Sequence, residues 1–214
     1  MDPVHSQGVS ACKPKVGIAG SAALCSVERM MSTDREGKMR GRWKDAVASG
    51  KNPCWSPNDV DVFVCGRAGR RKAAFRSVVR TIQTRMQKVL TRKGKKLIVE
   101  EEFEHNYTSR TSVFLIRNMR VEGMSMAISF IQVPEALHVG EVVEQFDLDI
   151  VKAVCNVHEK VVSMPVEVAS KIWLGKAEVM DFVTQRCFPS TIEEKAIVST
   201  MKQMRKFGGR GYRF

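Results

Sequence analysis

No two of the six cysteines, Cys12, Cys25, Cys54, Cys65, Cys155 and Cys187, stand at the Cys-x-x-Cys spacing of a thiolate zinc site or a redox pair. The four histidines, His5, His105, His138 and His158, are equally scattered, so a structural zinc centre is not expected. With 214 residues the chain can build its own core, and free thiols in a reducing compartment fit it better than a disulfide framework. No apolar run nears the roughly 20 residues that span a bilayer, so no membrane span is expected. The beginning carries Asp2 and no basic-then-apolar stretch, which argues against a secretory signal. No Gly-x-Ser-x-Gly turn marks a serine nucleophile. Gly66-Arg67-Ala68-Gly69-Arg70 looks like a phosphate loop but lacks its Gly-Lys-Ser/Thr ending. No helix-turn-helix or finger pattern supports sequence-specific base reading.

Acids are missing where bases crowd. Residues 66–96 hold twelve Lys or Arg and no Asp or Glu, which alone matches the net charge of +12. After Glu194 come Lys195, Lys202, Arg205, Lys206, Arg210 and Arg213. Fields of this kind attract polyanions such as nucleic acid, nucleotides or an anionic surface. Arg70, Arg71, Lys72, Arg76, Arg80, Lys95, Lys96 and Arg210 are the candidate nucleic-acid contacts. They would track a phosphate backbone or pair with phosphates inside a cleft; the bland alternative is a solvated charged face.

Residues 1–15 mix Pro, Ser, Gly and Lys without a period and read as a flexible arm. A domain over 16–189 follows, with an insertion-like loop at 32–58 broken by glycines and prolines, and one helical turn near Trp43. A helix and basic tail occupy 190–214. Within the domain, a short apolar start at 15–19 leads through Gly20-Ser21 into a helix marked by Leu24, Val27 and Met31. DVDVFV at 59–64 alternates and reads as a strand, whereas Phe75, Val79, Ile82, Met86 and Leu90 follow a helical period over 70–90. Strand-like runs at 96–105, 111–119 and 126–133 predict an antiparallel meander, followed by a short helix at 135–144. QFDLDIVKAVCNV at 145–157 reads as another strand, with KVVSMP at 160–165 as its hairpin partner. Helices are expected at 166–173 and 190–206. Trp55 reads as a lid, Trp173 and Phe182 as core, and Tyr107 with Phe103 as packing. The tail aromatics Phe207, Tyr212 and Phe214 read as docked on the domain, or else as part of a flexible nucleic-acid-binding segment. The fold class that results is α/β (α+β): a mixed central sheet flanked by helices.

The chemistry, if any, lies in two Asp-x-Asp stretches. On a strand, residues two apart share a face, so Asp59 and Asp61 point the same way, as Asp147 and Asp149 would if 145–157 is a strand. Convergent acids repel unless a cation sits between them, and hard magnesium with oxygen ligands suits this set better than zinc. A glycine and serine opening a helix leave backbone N–H groups for an anion.

The run GSAAL, then DVDVFV, then FDLDIV resembles the DNA polymerase beta-type nucleotidyltransferase superfamily. WSPNDVDVFV, FDLDI and RGYRF are also similar to small nucleotidyltransferase-like proteins of large eukaryotic DNA viruses. The resemblance implies a metal-dependent transfer of a nucleoside monophosphate from a nucleoside triphosphate to a hydroxyl acceptor. Gly20 and Ser21 would stand on the phosphate side. Apart from the resemblance, Lys152, just after the second acidic pair, would touch triphosphate if its side chain enters the cleft; the equal alternative is solvent exposure. Asp59 and Asp61 would be paired ligands for Mg2+ (or Mn2+), and Asp147 or Asp149 the third ligand and base. It implies an intracellular setting, in host cytoplasm or nucleus, or association with a virion. One departure is spacing: Ser21 and Asp59 are 38 positions apart, so residues 32–58 must loop out. The alternative is a protein that keeps the fold, has lost activity and binds nucleic acid or a virion.

Overall fold

The computed structural model describes residues 16–50, 55–104, 115–156, 161–180 and 191–214. The expected arm at 1–15, Tyr107, Phe182, Cys12, Cys54, Cys187 and the histidines other than His138 lie outside the described residues.

Strand β2 (Asp59–Val64) is the middle of the sheet. Its alternation sends Val60, Val62 and Val64 to one face, and Asp59, Asp61 and Phe63 to the other. Strand β1 (Val16–Ala19) pairs with it antiparallel. On the other side, β3 (Leu97–Glu104), β4 (Leu115–Val121) and β5 (Ala127–Gln132) form the expected antiparallel meander. β5 lies parallel to β2. A hairpin cannot join parallel neighbours. The connection therefore travels through α3 (Gly66–Arg70), α4 (Lys72–Thr91) and the first two strands of the meander. β6 (Val154–Asn156) pairs with the free side of β1, and β7 (Val161–Ser163) pairs with β6 as expected. The order is β3-β4-β5-β2-β1-β6-β7, a mixed sheet flanked by helices.

Each face has its own filling. Helix α4 turns Phe75 and Val79 onto Val62, Val64, Met119 and Phe130. On the Asp59 face, helix α5 (Val139–Val143) packs Val139, Val142 and Val143 with Ala19, Phe63 and Cys65. Beside it lies a third cluster. It joins Leu24 and Val27 of α1 (Ser21–Ser32), Trp43 of α2 (Gly41–Ala48), Ile172 of α6 (Val166–Leu174), and Phe207 and Tyr212 at the end of α7 (Thr191–Gly208). Cys25, Cys65 and Cys155 are free thiols. Burial, with a smaller push from Glu141, raises Cys65 to about 12.

Gly69 explains why the glycine-rich stretch after β2 is no phosphate loop. A Cβ there would meet the carbonyl oxygens of Val64 at 2.6 Å and Val133 at 2.7 Å. The glycine lets α3 lie directly against the ends of β2 and β5.

The described residues of the 32–58 segment, 32–50 and 55–58, are more structured than the expected loop. Asp34 Oδ1 accepts the N–H groups of Glu36 and Lys38, Thr33 bridges to Met39, and α2 runs eight residues rather than one turn. Trp43 is fully buried. Helix α1 anchors this segment through Glu28, whose buried carboxylate accepts from Arg42 Nη2, Trp55 Nε1 and the Tyr212 hydroxyl. Two tail aromatics dock, while Phe214 stays exposed. Trp173 is not core: it is exposed and meets Trp43 edge-on at 5.6 Å.

The expected strand over 145–157 is shorter than its pattern implied. Residues 144–147 turn out of α5, Leu148 bridges to Val179, Asp149–Val151 form a single 3-10 turn, and only Val154–Asn156 joins the sheet. The alternation failed because Leu148 and Ile150 are both drawn into the third cluster, against Leu24 and Val27 of α1, and not into the sheet. Asp147 and Asp149 therefore do not share a strand face.

Candidate active site

The site is built around the point where β1 becomes α1. Ala19 is the register partner of Asp61 across the β1–β2 pair. Gly20 then turns the chain with φ 71° and ψ −144°, a conformation open to glycine and strained for other residues. A Cβ on Gly20 would lie 3.8 Å from Asp61 Oδ2 and 3.9 Å from the Phe146 ring. The helix start thus lies beside the Asp61 carboxylate, with room for no more than a methyl group between them. Ser21 is the first residue of α1, whose first turn has no acid and no side-chain cap, which leaves its N–H groups for another acceptor. Gly20-Ser21 and Asp59-x-Asp61, separated by the 32–58 segment, meet in one corner.

Phe63 forms the floor of the corner and Phe146 stands against it, with ring centroids 5.9 Å apart. This apolar backing sets the electrostatics. Burial raises the Asp61 carboxyl from 3.8 to about 6; neighbouring Asp59 adds to the rise and Lys206 opposes it. Lys206, from the last turn of α7, is itself held below its ordinary value by burial and by Arg210, against the pull of Asp59 and Asp61. The Arg210 guanidinium lies over Trp55 at 3.5 Å and over Phe207 at 4.9 Å. Its Nη1 is buried without a hydrogen-bond partner. Two cations therefore border the two acids.

The second Asp-x-Asp stretch is occupied otherwise. Asp149 is buried; its Oδ2 accepts from Lys171 Nζ at 2.7 Å and its Oδ1 from the Glu178 N–H at 2.9 Å. These bonds clasp the 3-10 turn to α6 and the segment after it. Asp147 Oδ2 accepts from the Thr200 hydroxyl of α7 at 2.7 Å. Lys152 is buried and reaches Glu144 at 2.9 Å. Neither Asp147 nor Asp149 is among the charges that shift Asp61. Among the described residues, no group of three or more His, Cys, Asp or Glu is placed to hold a metal ion. Asp59 and Asp61 remain as a pair suited to one hard cation shared with phosphate oxygens, the usual way magnesium is held beside a nucleotide.

The basic helix stands elsewhere. Because α4 packs on Val62 and Val64, it lies on the opposite side of the sheet from Asp59 and Asp61. Lys72, Arg76 and Arg80 of α4 are exposed on that side and cannot pair with phosphates inside the acid corner, which corrects that part of the expectation, while Arg70, Arg71, Lys95 and Lys96 are exposed in the segments flanking the helix.

No family model, curated protein or solved structure matches this chain.

Lys206 is the site residue that sequence reasoning passed over. It stood in a list of tail cations, with no motif around it. The usable signal was the aromatic tail: once Phe207 and Tyr212 anchor in the core, Lys206 and Arg210 must lie against whatever borders that core.

Proposed function

We propose that the corner formed by Gly20, Ser21, Asp59 and Asp61 binds a magnesium-bound nucleoside triphosphate and supports nucleotidyl transfer to a hydroxyl acceptor. In that reaction the acceptor oxygen bonds to the α-phosphorus, the bond to the β-phosphate oxygen breaks, and pyrophosphate and the hydroxyl proton leave. The observation that supports the reading is the position of Gly20 beside Asp61, set by the pairing of Ala19 with Asp61 across a long insertion.

Each residue has a physical part. Gly20 presents bare backbone, so phosphate oxygens can approach the N–H groups that open α1. Asp59 and Asp61 would hold Mg2+ or Mn2+, which when bound neutralises phosphate charge and favours the attacking oxygen. Lys206 and Arg210 offer positive charge to the departing pyrophosphate. Phe63 and Phe146 keep water from one side of the corner.

A second reading is favoured by two observations: Lys206 already supplies a cation beside the acid pair, and Asp149 is bound to Lys171. In this reading the protein keeps a nucleotidyltransferase-like fold and works by binding polyanions without chemistry. The deciding experiment offers labelled nucleoside triphosphates with magnesium or manganese to RNA, DNA and protein acceptors, and compares wild type with Asp61→Ala. Incorporation by wild type and none by the variant supports transfer. Equal background from both, across all acceptors, supports the second reading.

A further inference from the structure

The face of α4 that points away from the sheet has no part in the acid corner, and its composition is one-sided. Arg80, Arg85, Lys88, Arg92, Lys95 and Lys96 are exposed, and none forms an ion pair with a described residue. Arg76 is tied to Glu102 at 2.8 Å, so one of the nearby acids is already spent on the near edge of the strip. Between the cations the helix is low. Ala73, Ser77, Thr81 and Thr84 share its outward side and line a recess with Arg76 and Arg80. Small side chains there let a rigid polyanion come close to the helix while flanking arginines reach its phosphates.

The chemistry narrows the partner. The single aromatic residue of α4, Phe75, is fully buried, so the strip has no ring on which an unpaired base can stack. Its exposed large apolar surface is confined to Val89, with Met86 and Leu90 half-buried, less than the Trp, Phe and Leu face by which basic amphipathic helices enter a lipid interface. What remains is phosphate recognition along a straight line. Twenty residues of helix extend about 30 Å, or roughly nine base-pair steps.

We propose that the outward face of α4, continued by the Arg92–Lys96 turn, docks the sugar-phosphate backbone of duplex nucleic acid without reading its sequence. The docking is independent of the acid corner and stands under either functional reading, because the two surfaces lie on opposite sides of the sheet.

The test is fluorescence anisotropy of the full chain with a 20-base-pair duplex, a matching single strand and unlabelled acidic vesicles as competitor, across a salt series. The wild type should bind duplex with a log affinity that falls by about 4–5 per decade of salt, as expected for about five neutralised phosphates. The variant Arg80→Gln/Lys88→Gln/Lys95→Gln, checked for folding by circular dichroism, should show a slope shallower by about 2–3. Lys44→Gln, at an exposed cation of α2 outside the strip, should bind duplex like wild type. Three results would overturn the proposal: no salt-dependent duplex binding, an unchanged slope in the folded triple variant, or a preference for single strand or vesicles over duplex.

Discussion

Replacing Asp61 with Asn should make the metal-free protein more stable at neutral pH while removing its capacity to hold a cation with Asp59. The carboxyl titrates near 6 when folded and near 3.8 when free. Between those values the folded chain keeps a proton that the unfolded chain has released, so the contribution of Asp61 to stability is most favourable below pH 4 and is lost as pH rises through 6. The gap corresponds to about 3 kcal/mol. Part of it is offset in the variant because Lys206 loses one of its two acidic neighbours. A net gain of about 1–3 kcal/mol above pH 7 is expected, or about 3–10 °C in Tm for a chain of this size. At pH 4 the two proteins should be equally stable. Urea or thermal melts in EDTA from pH 4 to 8 measure this, and the difference between the two curves isolates Asp61 from every other titrating group. If the variant is less stable at pH 8, or if its curve runs parallel to that of wild type, the apolar backing by Phe63 and Phe146 does not act as described.

Glu28→Ala should cost about 3–5 kcal/mol in urea unfolding, because Arg42, Trp55 and Tyr212 all lose their buried acceptor; a loss under about 1 kcal/mol refutes the clasp. Gly20→Ala should cost about 1–3 kcal/mol from its backbone conformation and weaken magnesium-nucleotide binding, read by calorimetry; a neutral result refutes the tight turn at Asp61. Lys206→Gln removes the cation that opposes the upward push of burial and Asp59, so carbon NMR should show Asp61 titrating above its wild-type value; a downward move contradicts the placement of α7.

The elements that alternate or repeat cleanly could be read from the chain. DVDVFV at 59–64 became a strand residue for residue, and the period through Phe75 and Val79 became α4, because each buries one regular face. The 145–157 stretch misled because alternation also fits a chain whose alternate residues are buried against helices. Leu148 and Ile150 are buried by tertiary packing, so their spacing said nothing about sheet pairing. Gly20 and Asp61 could be suggested as neighbours only by pattern; their proximity rests on the long-range pairing of β1 with β2, which sets Ala19 opposite Asp61. The approach of Lys206 was invisible for a different reason. It depends on where Phe207 lands, and local sequence does not encode the partner of an anchor.

The hydrogen bond from Tyr212 to Glu28 closes a loop of 184 residues. During synthesis α1 emerges early, yet the carboxylate at its centre gains its last donor only after Phe207 and Tyr212 have been made. A nascent chain halted before that point would expose the groove that receives those two rings. Chains that stop before Phe207 should therefore be prone to capture by chaperones, because Glu28 then lacks its Tyr212 donor.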